Sequence, residues 1–155
     1  MTRGRSVPET PAEERARLLA EGDRAWAELC TALDAAPPDA LLHDPDSPAW
    51  TSRDVYTHFM RMHMWSADAV SRELAGRPLD LSGESEDEVN ARLQAEERGR
   101  TLEEARALAH STRVAYREVM LGLTPEQWST IGRRHSDDLV GGHYRGHLGY
   151  IRGRR

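Results

Sequence analysis

The sequence predicts an all-α fold, a four-helix bundle with one long crossover connection. Three observations predict it: apolar residues recur at spacings of three and four in separate stretches, no stretch sustains the period-two alternation of a strand, and helix-capping signatures open most of the stretches. The 155 residues, 38% of them hydrophobic, suit one domain, since a chain of this length buries about two thirds of its unfolded surface. Residues 1–9 are polar and unpatterned and read as a flexible leader, which leaves residues 10–155 as the single domain.

The first helix opens at Thr10-Pro11-Ala12-Glu13, a capping box with proline at the first helical position. Its stripe runs Leu18, Gly22, Ala25/Trp26, Leu29 and Leu33, and Pro37-Pro38 follow its end near Ala36. A loop containing Asp44-Pro45-Asp46-Ser47-Pro48 leads to the second helix at Thr51 or Ser52. That helix carries Val55, His58/Phe59, Met62, Trp65, Ala69 and Leu74 on its expected inner face, before Gly76 and Pro78. The third begins among Glu84, Glu86, Asp87 and Glu88, acids that suit the positive end of a helix dipole and are read as structural. Gly99 interrupts, and Thr101-Leu102-Glu103-Glu104 opens a further stretch to Leu123, so this region is one kinked helix or two. Thr124-Pro125-Glu126-Gln127 starts a short connector through Trp128 and Ile131. The last helix, about Asp137 to Arg152, aligns Leu139/Val140, His143, His147 and Tyr150/Ile151, with Arg152, Arg154 and Arg155 at its C-terminal end.

Composition excludes several classes of function. Twenty-six acidic against 21 basic side chains, a net charge of −5 and no long basic block argue against nucleic acid. No apolar run approaches the roughly 18 to 20 residues of a membrane span, and no hydrophobic stretch follows the N-terminal arginines as in a signal peptide, so the expected location is cytoplasmic. Cys30 is the single cysteine and has no cationic neighbours in sequence; it reads as an inert core residue, and any metal must be held by histidine and carboxylate. Every basic residue is arginine, which excludes a lysine Schiff base and fits a GC-rich genome.

Seven histidines remain. His143 and His147 stand one helical turn apart and can aim at one point. His58 occupies a core-facing position on another helix, and imidazoles from facing helices are a known way to build a metal site in a bundle. Three such ligands leave a divalent ion with open positions, the pattern of catalytic sites. The bland alternative is a set of partly buried rings bonded to backbone or water. His63, about 140° around the helix from His58, and His43, His110 and His135 read as surface or satisfied core. Asp54 either supports a ligating ring or favours its helix N-terminus, and the second reading is preferred. Met60, Met62 and Met64 near Trp65 form a pocket wall or core filler. Gly141, Gly142, Gly146 and Gly149 suggest that another backbone or a bulky ligand approaches the last helix. No G-x-S-x-G, H-E-x-x-H or phosphate-loop pattern is present.

Trp50-Thr51-Ser52-Arg53-Asp54-Val55-Tyr56-Thr57-His58-Phe59 resembles the W-S-x-x-D-V-x-x-H-L segment of the DinB-like (YfiT-like) four-helix-bundle superfamily, which includes the N-terminal domain of mycothiol-dependent maleylpyruvate isomerase. His143-Tyr144-Arg145-Gly146-His147-Leu148-Gly149-Tyr150-Ile151 resembles its last-helix motif, and Glu88-Val89-Asn90-Ala91-Arg92 the opening of its third helix. The resemblance runs from about residue 11 onward. The sequence ends a few residues past His147, so the likeness is to the bundle domain of that isomerase alone. It implies zinc or nickel held by His58, His143 and His147, with Asn90 near the pocket. It also implies a metal-activated low-molecular-weight thiol, mycothiol in a high-GC actinobacterium, or water, attacking a small electrophile in transferase, isomerase or hydrolase chemistry. Met62, Trp65, Asn90, Tyr144 and Tyr150 are then the expected substrate-binding residues. The alternative is a non-catalytic self-resistance protein that sequesters a reactive natural product in a cavity lined by Trp65, Met62, Tyr144 and Tyr150. Either fits a monomer or a homodimer.

Overall fold

The computed structural model of the protein describes residues 7–42, 49–79 and 81–152, and these are all-helical. His43, the Asp44 to Pro48 loop, Arg154, Arg155 and the first six residues lie outside the described residues.

Local capping chemistry sets the helix starts. Helix α1 (Pro11–Ala35) begins where the Thr10 hydroxyl accepts from the Glu13 amide and the Glu13 carboxylate accepts from the Thr10 amide. Helix α2 (Ser52–Leu74) follows Thr51, whose amide and hydroxyl both donate to Asp54, so Asp54 serves the helix start as expected. The same reciprocal box at Ser85/Glu88 opens α3 (Glu86–Glu96), and at Thr101/Glu104 opens α4 (Leu102–Leu121). Gly99 therefore separates two helices. A single turn, α5 (Pro125–Gln127), runs into a wide turn at Trp128–Gly132 and a tight one at Arg133–His135.

The final segment departs from the expected continuous helix. It is α6 (Asp137–Val140) and α7 (Gly142–Ile151), broken at Gly141, whose φ of 108° lies where only glycine rests without strain. A Cβ on Gly141 would also lie 2.7 Å from Arg145 Nη1 and 3.0 Å from Ala25 Cβ.

Helix α2 packs along α4, α1 packs along α6 and α7, and α3 rests on α2. The backbone of α1 comes so close to α6 that a Cβ on Gly22 would sit 1.8 Å from the Leu139 carbonyl oxygen. Of the last-helix glycines expected to mark a close approach, Gly141 does so, against Ala25 and Arg145, while Gly142 and Gly146 face open space; the closest backbone approach is at Gly22.

Two apolar clusters form the core. One gathers Trp26, Leu29, Leu33, Val55, Tyr56, Phe59, Ala105, Ala109, Tyr144 and Leu148, and the other Leu19, Val70, Tyr116, Met120, Trp128 and Leu139. Burying each large apolar side chain contributes about 1.5–3 kcal/mol. Between them along α1, α2 and α4 lies a polar layer of Asp23, His63 and Arg113. The inner face of α2 also differs from expectation. Its buried positions continue through Met60, His63, Ser66, Ala69 and Val70, while Trp65 and Leu74 are exposed and Met62 is only partly covered. The first turns of α2 are buried on nearly all sides, so they do not fix the phase of the stripe, and beyond Met60 it runs one position on from Met62 and Trp65, through His63 and Ser66.

Candidate metal centre

Helix α2 presents His58, and α7 presents His143 and His147 one turn apart. The His58 and His143 Nε2 atoms lie 3.2 Å apart, and those of His147 and His143 3.1 Å apart. Each ring offers one nitrogen within 4.8 Å of the other two; His58 and His147 are buried and His143 is partly exposed. Two nitrogens on one zinc-like ion at about 2.0–2.1 Å stand roughly 2.9 to 3.4 Å apart for octahedral to tetrahedral angles. The two closest separations fall inside that interval, so the three side chains fit a shared divalent ion.

The tautomer of His143 strengthens the fit. Its Nδ1 lies 2.5 Å from Asp138 Oδ1, and the other oxygen of that carboxylate accepts from the Ser66 hydroxyl at 2.9 Å. A carboxylate only accepts, so Nδ1 carries the proton and Nε2 keeps its one lone pair. Two further Nε2 atoms converge on that single lone pair, more than one acceptor can satisfy by hydrogen bonding but what a cation shared by three nitrogens needs. A carboxylate behind a ligating imidazole is also the arrangement that fixes ring orientation in metal sites. Burial opposes ionisation of Asp138, yet its pKa lies below the ordinary aspartate value, drawn down by the hydrogen bonds from the His143 ring and the Ser66 hydroxyl.

Asp138 reaches His143 only because of Gly141. In an unbroken helix the two positions, five apart, point about 140° away from each other. The Trp50 indole lies parallel to the His147 ring, with 7° between planes and 5.9 Å between centroids, and covers one side of the site. Neither Asp138 nor Trp50 was singled out as a site residue from sequence; the Gly141-Gly142 pair after a short acidic helix start was the available signal for Asp138.

The remaining described histidines stand apart. His63 is fully buried, its Nε2 2.8 Å from the Tyr144 hydroxyl and its Nδ1 3.3 Å from Thr112 Oγ1. His110 Nδ1 accepts from Trp26 Nε1, and His135 stands beside Glu73. His63 and His110 are satisfied core positions, as expected, whereas His135 keeps its Nε2 3.3 Å from Glu73 Oε1 without a hydrogen bond. Cys30 is buried too, and desolvation pushes its thiol pKa up to about 11, which leaves it unreactive.

An open cleft of about 1170 Å³ lies between α2, α3 and the segment that precedes α3. His58 and His143 border it, as do Met62, Trp65 and Asn90 of the expected substrate residues. Tyr144 and Tyr150 are not among its walls. Tyr144 is completely buried, and its hydroxyl donates to the Asp138 carbonyl while accepting from Arg113 Nε at 3.1 Å. Tyr150 is half exposed, edge-on to His147 at 6.2 Å. Of the three methionines read as pocket wall or core filler, Met62 and Met64 line the cleft and Met60 lies in the core; Arg61, Leu81 and Arg92 line the cleft without having been expected there. No known protein family, curated protein or solved structure matches the chain. No helix among the described residues is long and apolar enough to cross a membrane.

Proposed function

We propose that the protein is a metal-dependent enzyme of the DinB-like four-helix-bundle class. In this reading α1, α2, α4 and α6–α7 are the four helices, and the segment carrying α3 is the long crossover. His58, His143 and His147 hold a divalent ion, zinc or nickel, beside the cleft, where a low-molecular-weight thiol such as mycothiol, or water, attacks a small electrophile. The observation that carries the reading is the convergence of three imidazole Nε2 atoms, one of them fixed from behind by Asp138.

A divalent ion in such a place supplies a Lewis acid that lowers the pKa of a thiol or a water at neutral pH. The chain's own residues do the rest. His58 and His143 face the cleft, so the reacting end of a ligand enters there. Asp138 and Ser66 hold the His143 ring in one tautomer, and Trp50 screens the opposite side from solvent. Met62 and Trp65 offer an apolar wall, and Asn90 a polar group at the foot of α3.

The size of the cleft favours a second reading, since about 1170 Å³ exceeds the roughly 300–1,000 Å³ usual for a small-ligand pocket. In it the protein captures a reactive natural product without turnover. Zinc and nickel analysis of purified protein, followed by an assay of thiol-dependent and thiol-free consumption of chlorodinitrobenzene and of reactive epoxides, separates the two. Turnover abolished by chelation and by His147→Ala supports the enzyme. Stoichiometric capture with no product, unchanged in His147→Ala, replaces it with the binding protein.

A further inference from the structure

The walls of the cleft carry a charge arrangement that restricts what enters it. Arg61 places Nη1 2.8 Å from Glu97 and Nη2 3.0 Å from Glu96. Arg92 reaches Glu84 at 3.0 Å and Glu96 at 3.0 Å. Both cleft arginines therefore grip two glutamates each, with Glu96 shared. Glu97 is itself buried and is also paired with Arg100, so it is a fixed carboxylate that anchors Arg61 in place. The Arg92 pairs are exposed and weakly held, but opening one leaves its carboxylates in place, and the local field stays non-positive. Asp68 and Glu86 add further carboxylates to the same lining. The N-terminus of α3, where an anion would otherwise settle, is taken by Glu86, Asp87 and Glu88 in its first turn.

Apart from His58, Ser82, Asn90 and His143, the rest of the lining is apolar, and much of it is exposed. Met64 is 52%, Trp65 43% and Leu81 74% accessible, three large apolar side chains gathered on one cleft. A concave apolar surface of this kind marks a ligand site more often than plain surface. Indole and thioether groups favour flat, polarisable rings.

We propose that the cleft between α2 and α3 takes an uncharged, largely apolar small molecule bearing an aromatic or similarly flat ring, and that its doubly paired arginines turn anionic ligands away. This rests on the function proposed above only in placing the reacting end of the ligand beside His58 and His143; the selection by the walls is read on protein freed of metal by chelator after its metal content is measured, because a bound cation would itself attract an anion. The specificity-determining residues are Glu84, Glu96 and Glu97, which neutralise the cleft's arginines, and Trp65, Met64 and Leu81, which meet the ring.

A matched pair of fluorescent probes tests it on the full chain. N-phenylnaphthylamine is uncharged, and anilinonaphthalene sulfonate is the same ring system with one sulfonate added. The uncharged probe is expected to bind with one-to-one stoichiometry and at least about tenfold more tightly than the sulfonate, the size of discrimination an unpaired charge imposes. Trp65→Ala, at a half-exposed position, weakens the uncharged probe about tenfold, as the loss of a ring anchor does. The double substitution Glu84→Gln with Glu96→Gln frees Arg92 and raises sulfonate affinity, closing the gap. Equal or tighter sulfonate binding by the unaltered protein overturns the proposal, as does probe binding indifferent to both changes. Release by the probe of a preformed dimer also overturns it, because the cleft's occupant is then a second copy of the chain. Metal content measured on the same samples keeps the readings separate: selective probe binding without metal leaves the cleft proposal standing and removes the enzyme, and metal without selectivity does the reverse.

Discussion

Two histidine environments lie five residues apart along α2, and they behave in opposite ways. His63 has its nitrogens beside a tyrosine hydroxyl and a threonine hydroxyl, in a layer completed by Arg113, whose guanidinium also reaches Asp23 at 2.9 Å and the Leu139 carbonyl. His58 instead directs its Nε2 toward those of two further imidazoles. The first environment consumes the ring's hydrogen-bonding capacity and holds helices together. The second brings three ring nitrogens into one space, and only that arrangement can take up an ion. Burial is common to both, so burial does not mark function; the identity of the atoms facing the nitrogens does.

The most drastic way to break this comparison is to delete one member of each group. His143→Ala removes a ligand and is expected to abolish stoichiometric metal binding, while His63→Ala retains metal and loses about 2–4 kcal/mol of folding stability, because a fully buried ring is lost and Tyr144 and Thr112 each lose a hydrogen-bond partner. Metal analysis and urea unfolding of both variants read the two effects. Metal loss in His63→Ala, or its retention in His143→Ala, would erase the distinction.

A smaller effect is expected at Gly22. Alanine there cannot fit against the Leu139 carbonyl without moving α6, so Gly22→Ala should destabilise by roughly 1–3 kcal/mol. It should also weaken metal binding, because α6 carries Asp138. Full stability of this variant in urea unfolding would mean that the approach of α1 to α6 is not tight.

Asp138→Asn leaves the ring a partner but no longer compels its tautomer. Metal affinity is expected to fall about 10–100-fold, with thermal stability of the metal-free protein little changed, as measured by competition with a chromogenic chelator. Unaltered affinity would show that His143 is oriented by packing alone.

The two environments should also separate by pH. Burial, the largest influence, pulls the His63 pKa from 6.5 down to about 3, so the folded state resists protonation that the unfolded chain accepts. The stabilisation this represents is fully present above pH 6.5, declines as pH falls below it, and is gone near pH 3. Metal-free His63→Leu should therefore lose less stability between pH 6.5 and 4.5 than the unaltered chain, by at most about 1.4 kcal/mol per pH unit. Parallel pH profiles would show that His63 does not resist protonation in the fold.

Much of this was legible in the sequence, for local reasons. Helix starts follow from residues three apart, and the Thr10/Glu13, Ser85/Glu88 and Thr101/Glu104 pairs form as their spacing requires. The pairing of His143 with His147 is likewise local, and His58 joined them through its position on a facing helix. What escaped depends on contacts distant in sequence or on a break in regularity. Asp138 was invisible because continuing the helix through Gly141 turns it away from His143. Tyr144 was assigned to the cavity beside its neighbour His143, but one residue along a helix is a turn of about 100°, and that carries its ring into the core. Trp65 and Leu74 fall outside the inner face because the first turns of α2, buried on most sides, do not fix the phase of its stripe, which beyond Met60 runs through His63, Ser66, Ala69 and Val70.

The most direct test is X-ray absorption spectroscopy of the protein purified from cells supplied with zinc and nickel. The expected result is about one equivalent of metal, with scattering from three imidazole rings at about 2.0–2.1 Å and the remaining positions filled by light atoms. Protein that takes up no metal under these conditions, or a bound metal whose shell lacks three imidazoles, would contradict the assignment of His58, His143 and His147.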